Sequence, residues 1–235
     1  MERASKIVEL VGLAGAGKST IAGALDQCSH QILLAEPPYS RRIRDIPFFA
    51  WNTFLLLPTL VHLWCTNQGS RWLSRQEIAS MVILLGWHRR LRRSSSNRCQ
   101  VIVLDQGPIC SLMLLQLFGP ETLRSAGAKK WWNRVCRRWA DTLDTMIWLD
   151  APTATLIERV RAREKWHGVK DKSEAEAFEY LERYREAYRR VIACLAVNDD
   201  LQILKFDTAQ ESLDGVVDQI LAEFRLKPSR ARDVC

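Results

Sequence analysis

The chain has 235 residues, a net charge of +7, and 47% hydrophobic against 26% charged residues. Those proportions exclude a disordered polymer, and the length suits one domain that buries a full core without disulfide or metal staples. Of its 34 cations 25 are Arg, a balance that invites anionic partners (phosphate-bearing ligands, nucleic acid or a membrane surface) without choosing among them.

In chain order, a near-continuous apolar run over 6–11 reads as a strand buried on both faces. A glycine-rich turn, 12–20, follows and leads into a helix over 18–28. A second strand is expected over 31–35, then helices over 51–64 and 77–93. The apolar stretch 48–64 approaches membrane-span length, but Asn52, Thr53, Pro58 and His62 lie inside it and argue against a span. Residues 94–97 read as a loop, and 101–105 as a third strand ending in a carboxylate. After a loop at 118–120 come a helix over 129–142, a strand over 144–149 and a helix over 153–163. The charged stretch 164–172 separates that helix from another over 174–197. A fifth strand over 202–206, a helix over 211–225 and a polar tail complete the chain. Alternating strands and helices of this kind predict an α/β/α three-layer domain on a five-stranded parallel sheet.

Seven cysteines (Cys28, Cys65, Cys99, Cys110, Cys136, Cys194, Cys235) are scattered, with no C-x-x-C pair. That spacing argues against a zinc site or a disulfide framework. The first residues run into the strand pattern without a secretory apolar core, so a cytoplasmic protein with reduced thiols is expected.

The sharpest local signal is Gly12-Leu13-Ala14-Gly15-Ala16-Gly17-Lys18-Ser19-Thr20. It satisfies G-x-x-x-x-G-K-[ST] in full, between a strand and a helix. Gly12, Gly15 and Gly17, with Ala14 and Ala16, let the backbone close around phosphate oxygens with its amides pointing inward, and the helix dipole adds positive potential. Lys18 is expected to reach the β- and γ-phosphates, and the Ser19 hydroxyl to ligate Mg2+. Asp105, closing its buried strand, is the candidate second support for the metal. Asp150 also ends a strand, but Ala151-Pro152 and a helix follow, which favours a capping role.

The order of these motifs resembles the thymidylate kinase and deoxynucleoside kinase group of P-loop phosphotransferases, over almost the whole chain. Leu34-Ala35-Glu36-Pro37 resembles the group's Glu-Pro, which implies that Glu36 faces the acceptor hydroxyl. Residues 158–163, with Arg159 and Arg163, resemble the arginine-bearing start of its lid, here 159–173. Phe206-Asp207-Thr208 and the helix after it resemble the turn near the adenine. The resemblance implies a single kinase domain, 1–235, using ATP and Mg2+, with Lys18, Glu36, Asp105, Arg159 and Arg163 as catalytic groups. The group commonly carries Arg after the acidic residue of the third strand; here Gln106 follows Asp105. That departure points away from an ordinary thymidylate or deoxynucleoside acceptor and toward a related, more apolar alcohol or phosphate.

Competing readings stay open at this level. Arg41, Arg42 and Arg44 form either an anion clamp or a solvated surface. The run 89–93 reads as cations complementing a helix C-terminus. Trp51 and Trp64 are either packing residues or acceptor-pocket walls. A degenerate acceptor site would leave an ATP-binding regulatory protein. The charge would suit a kinase of nucleic-acid ends, but no stacking platform accompanies it, so a nucleic-acid partner is not expected. A homodimer, paired through the apolar helix 77–91, is a further expectation.

Overall fold

The computed structural model describes residues 5–67, 71–94, 100–164, 167–196 and 201–226. Cys99, Cys235, Lys165, loop residues 95–97, Val197 and the polar tail from 227 lie outside the described residues. Five strands form one all-parallel sheet: β1 (Lys6–Gly12), β2 (Ile32–Leu34), β3 (Val101–Leu104), β4 (Thr145–Asp150) and β5 (Gln202–Asp207). Their spatial order is β2-β3-β1-β4-β5. The chain leaves β1 for one side of the sheet and returns through β4 to the other. The strand order therefore reverses at the C-terminal end of β1, where open α/β sheets bind ligands. Every residue of β3 is buried, as is every residue of β1 except Lys6, which explains why both read as near-continuous apolar runs.

Helix α1 (Lys18–Cys28) has the expected bounds and packs beside α8 (Leu213–Glu223). On the other face α4 (Pro108–Phe118) packs against α3 (Arg75–Ser94) and α7 (Glu174–Leu195), and α5 (Ala126–Ala140) joins α3 and α7. A box between Ser173 and Glu176 caps the start of α7. Helix α4 is the element the sequence pattern does not predict. Pro108 opens it, and Ile109, Leu112, Met113 and Leu115 are all buried. A helix enclosed on several sides carries no polar stripe to mark its period.

The indoles of Trp87 and Trp139 are fully buried and meet edge-on at 6.1 Å. Trp139 Nε1 donates to the Leu84 carbonyl at 2.9 Å, satisfying the one polar atom the ring takes into the core. Met81, Val82, Leu84, Leu85 and Trp87 of α3 are buried inside the chain's own core, and Ile78 and Ile83 are half-buried against it. The arginine run at the end of α3 is not merely a dipole complement. Arg90 binds the buried Asp45 carboxylate at 2.6 Å, and Arg92 donates to the Asp141 carbonyl at 2.8 Å.

Helix α2 (Ile46–Cys65) starts five residues before the expected 51, because Pro47 in its first turn favours initiation. Only Asn52, Leu56 and Leu63 along it are buried. By length and composition it could cross a membrane, but that one face is built into the core, against α3 and α5.

Candidate active site

The C-terminal edge of the parallel sheet gathers the ends of all five strands. Gly12 leads from β1 into the phosphate loop, and its φ of 155° is one that side-chain-bearing residues rarely adopt. A Cβ there would lie 2.2 Å from the Leu149 carbonyl oxygen of β4, so the loop passes against the neighbouring strand at a distance only glycine permits. Gly15 (φ 90°) is equally constrained, with a Cβ placed 2.8 Å from the Leu156 carbonyl of α6 (Thr153–Ala162). Gly17 caps α1 in the left-handed region. Ala14 and Ala16 complete the loop, Ala16 fully buried, while Ser19 and Thr20 stand exposed at its mouth.

Lys18 Nζ donates to the carbonyls of Gly12 at 2.7 Å and Leu13 at 3.0 Å. Burial draws this ammonium below the ordinary lysine range, and Arg163 adds repulsion, while Cys110 and Asp105 oppose the shift. The Ser19 hydroxyl donates to Asp105 Oδ2 at 2.9 Å across 86 residues of sequence. The other oxygen, Asp105 Oδ1, is buried with no hydrogen-bond partner among the described residues. An unsatisfied buried carboxylate oxygen beside a hydroxyl is a hard-oxygen donor set suited to a hydrated Mg2+.

Arg159 and Arg163 occupy different positions. Arg159, on α6, donates through Nη1 to Thr208 Oγ1 at 2.9 Å and, at 3.5 Å, to the Gly15 carbonyl; Nη2 donates to the Thr208 carbonyl at 2.8 Å. Thr208 is itself held at the end of β5 by the Asp150 carbonyl, which accepts from both its amide and its hydroxyl. Arg159 thus bridges the phosphate loop to the turn after β5. Arg163 ends α6 within electrostatic range of Lys18, and burial together with Arg163 and Lys18 lowers the His167 imidazole pKa. Residues 167–172 run through turns at 168–171 to the cap of α7 at Ser173.

Glu36 stands apart from this cluster. Ala35 continues the β2–β3 ladder by donating to the Val103 carbonyl at 2.9 Å, which brings the next residue, Glu36, to the same edge as Asp105. Its side chain is 63% exposed and pairs with Arg42 at 2.7 Å; Arg42 in turn lies over the Tyr39 ring at 4.5 Å. Trp51 and Trp64, on α2, are 59% and 63% exposed, so neither is packed into the core.

Two buried features were not read as site features from the sequence. Glu9 interrupts the apolar run of β1, and its carboxylate accepts from the amides of Ile109, at 3.0 Å to each oxygen, and Cys110, at 3.2 Å. It therefore caps α4 from inside the sheet and fixes the turn that follows Asp105. A Cβ on Gly107 would lie 2.4 Å from the Glu9 Cδ. Burial outweighs the amides and pushes the Glu9 pKa up to about 8. A carboxylate in the middle of the buried part of the strand was the available signal.

The second feature is Arg185. It binds Asp150 through Nη2 at 3.0 Å and Nε at 3.2 Å, donates to Thr153 Oγ1 at 2.7 Å, and pairs with Glu182. Asp150 is thus one half of a largely buried ion pair rather than the expected helix cap.

Neither a family model nor a curated protein matches the sequence. Solved structures do. Deoxyadenosine kinase from M. mycoides with bound dATP is 15% identical, over 93% of this chain and 99% of that one, with a TM-score of 0.52. Thymidylate kinase from Candida albicans is 14% identical over 94% and 92%, with a TM-score of 0.54. This is the P-loop nucleoside and nucleotide kinase fold. The YorR protein of Bacillus subtilis in complex with phosphorylated GDP is similar at 14% identity over 94% of this chain, TM-score 0.50. By their geometry, the Ser19 hydroxyl and the Asp105 carboxylate are the oxygens at this edge that could hold Mg2+. The loop amides and Lys18 would hold a nucleotide's phosphates.

Proposed function

We propose that the protein is an ATP- and Mg2+-dependent phosphotransferase of the nucleoside or nucleotide kinase type, acting on a small-molecule alcohol or phosphate. The observation that carries the reading is the Ser19–Asp105 hydrogen bond beside Lys18, which joins the phosphate loop to the third strand where nucleotide and metal would meet. Bound Mg2+ supplies positive charge to the phosphate oxygens. The chain's own contribution is positioning and further charge. Lys18 exchanges its two loop carbonyls for phosphate oxygens. Arg159 holds the loop against Thr208, and Arg163 approaches from the lid. Glu36 orients the acceptor hydroxyl once it exchanges Arg42 for the substrate. The turns of 167–172, with His167 close to Lys18, exclude water from the cleft.

The test is acceptor-dependent ADP release with ATP and Mg2+ across nucleosides, nucleoside monophosphates and apolar alcohols. Transfer to one class, reduced by about 100-fold or more in Lys18→Ala, is expected. Tight ATP binding with no acceptor-dependent release from any class would leave the regulatory reading in its place.

A further inference from the structure

Helix α2 is apolar on nearly all sides, a composition proper to a helix enclosed by protein or lipid. Yet most of it is uncovered. Ile46, Trp51, Phe54, Val61 and Trp64 are each between 54% and 63% exposed, and Ile43, just before the helix, is 84% exposed. At roughly 100° per residue, the exposed positions of the helix form one contiguous half of its surface, opposite Asn52, Leu56 and Leu63. No charged residue occurs from Ile46 until Arg71, while Arg41, Arg42 and Arg44 stand immediately before the helix. An aromatic indole lies toward each end of the face. Isolated exposed apolar residues need no explanation, but a continuous face of this size does.

We propose that this face docks flat on the surface of an anionic lipid bilayer. The apolar half of α2 would enter the headgroup boundary, Trp51 and Trp64 would sit at the interface, and Arg41 and Arg44 would meet lipid phosphates. Charge favours this occupant over a second copy of the chain. In a two-fold antiparallel pairing of α2, the arginines at its start would meet the partner's residues 60–71. That stretch contains no carboxylate and ends in another arginine. The nearest following acid, Glu77, is already bonded to Arg71 at 2.6 Å. An anionic surface neutralises what a second copy would leave opposed. The buried face of α2 keeps the helix in the core, so the protein lies on the membrane rather than through it.

The experiment is flotation of the full chain with vesicles of phosphatidylcholine alone and with about one-third phosphatidylglycerol. Binding is expected to the anionic vesicles, with the partition reduced at least about tenfold in Phe54→Glu/Val61→Glu, since apolar burial drives insertion. Arg41→Glu/Arg44→Glu is expected to remove the preference for the anionic lipid. Quenching of the unaltered protein by brominated acyl chains, diminished in Trp51→Phe/Trp64→Phe, reports the same contact without a disruptive charge. No binding to either vesicle overturns the proposal, whether the protein sediments as a monomer or as a dimer that Phe54→Glu dissociates. Vesicle binding unchanged in the variants also overturns it.

Discussion

Replacing Glu9 with glutamine removes a titratable proton from the centre of the sheet while preserving shape and an oxygen for the α4 amides. The Glu9 carboxyl is fully buried, and its pKa rises from an ordinary 4.5 to about 8 because burial penalises the charge. Below pH 4.5 both folded and unfolded chains carry the proton, and the group contributes nothing to pH dependence. Between 4.5 and 8 the unfolded chain loses it while the native chain keeps it. Stability therefore falls as pH rises, by ~1.4 kcal/mol per unit at the limiting slope, and levels off above 8. Integrated from pH 5 to pH 8, this single group costs roughly 3 to 4 kcal/mol. Urea unfolding followed by tryptophan fluorescence at several pH values should show Glu9→Gln near wild type at pH 5 and more stable than wild type at pH 8. The difference between the curves is the measured quantity. Parallel curves, or a wild type that gains on the variant as pH rises, would refute the reasoning. The second result would mean that the α4 amides hold a carboxylate rather than an acid.

The same turn makes a steric prediction: Gly107→Ala should lose about 1–3 kcal/mol by overpacking against the Glu9 carboxyl. Glu9→Ala in the same chain should recover part of that loss, so that denaturation of the double mutant departs from additivity. Ser19→Ala strips Asp105 Oδ2 of its partner and should weaken Mg-ATP binding about tenfold, near 1.4 kcal/mol. Titrations with and without the metal would separate that loss from an effect on nucleotide alone. Arg185→Ala leaves Asp150 and Glu182 facing each other without their cation and should cost about 3–5 kcal/mol in a denaturation curve. A loss within about 0.5 kcal/mol would mean that the network is solvated.

What the sequence disclosed followed from how local its causes are. The phosphate loop could be read because its glycines, lysine and hydroxyl serve one turn, and the parallel strands because burial on both faces leaves a near-continuous apolar run. Helix α4 escaped because the same burial, applied to a helix, erases the period that would reveal it. Asp150 was misread as a cap because its partner lies 35 residues away. The partner of Arg159 could not be read either, since its hydrogen bonds reach Thr208, 49 residues on, and the loop carbonyl of Gly15. Trp51 and Trp64 stayed open between packing and pocket wall because composition alone cannot say which side of an apolar helix faces the protein.

The contact between Glu9 and Gly107 also gives substitution an order. The backbone at Gly107 is ordinary extended chain, so any residue could stand there were the carboxyl not beneath it. While Glu9 remains, a side chain at 107 meets it at 2.4 Å. Once position 9 has become small, 107 is open, at the expense of uncovering the first amides of α4. The permitted path therefore runs through position 9 first. Among related chains a residue other than glycine at 107 should be found only where position 9 no longer carries a glutamate. The pair works as a ratchet on the turn that holds Asp105, letting it drift in one direction of history and not the other.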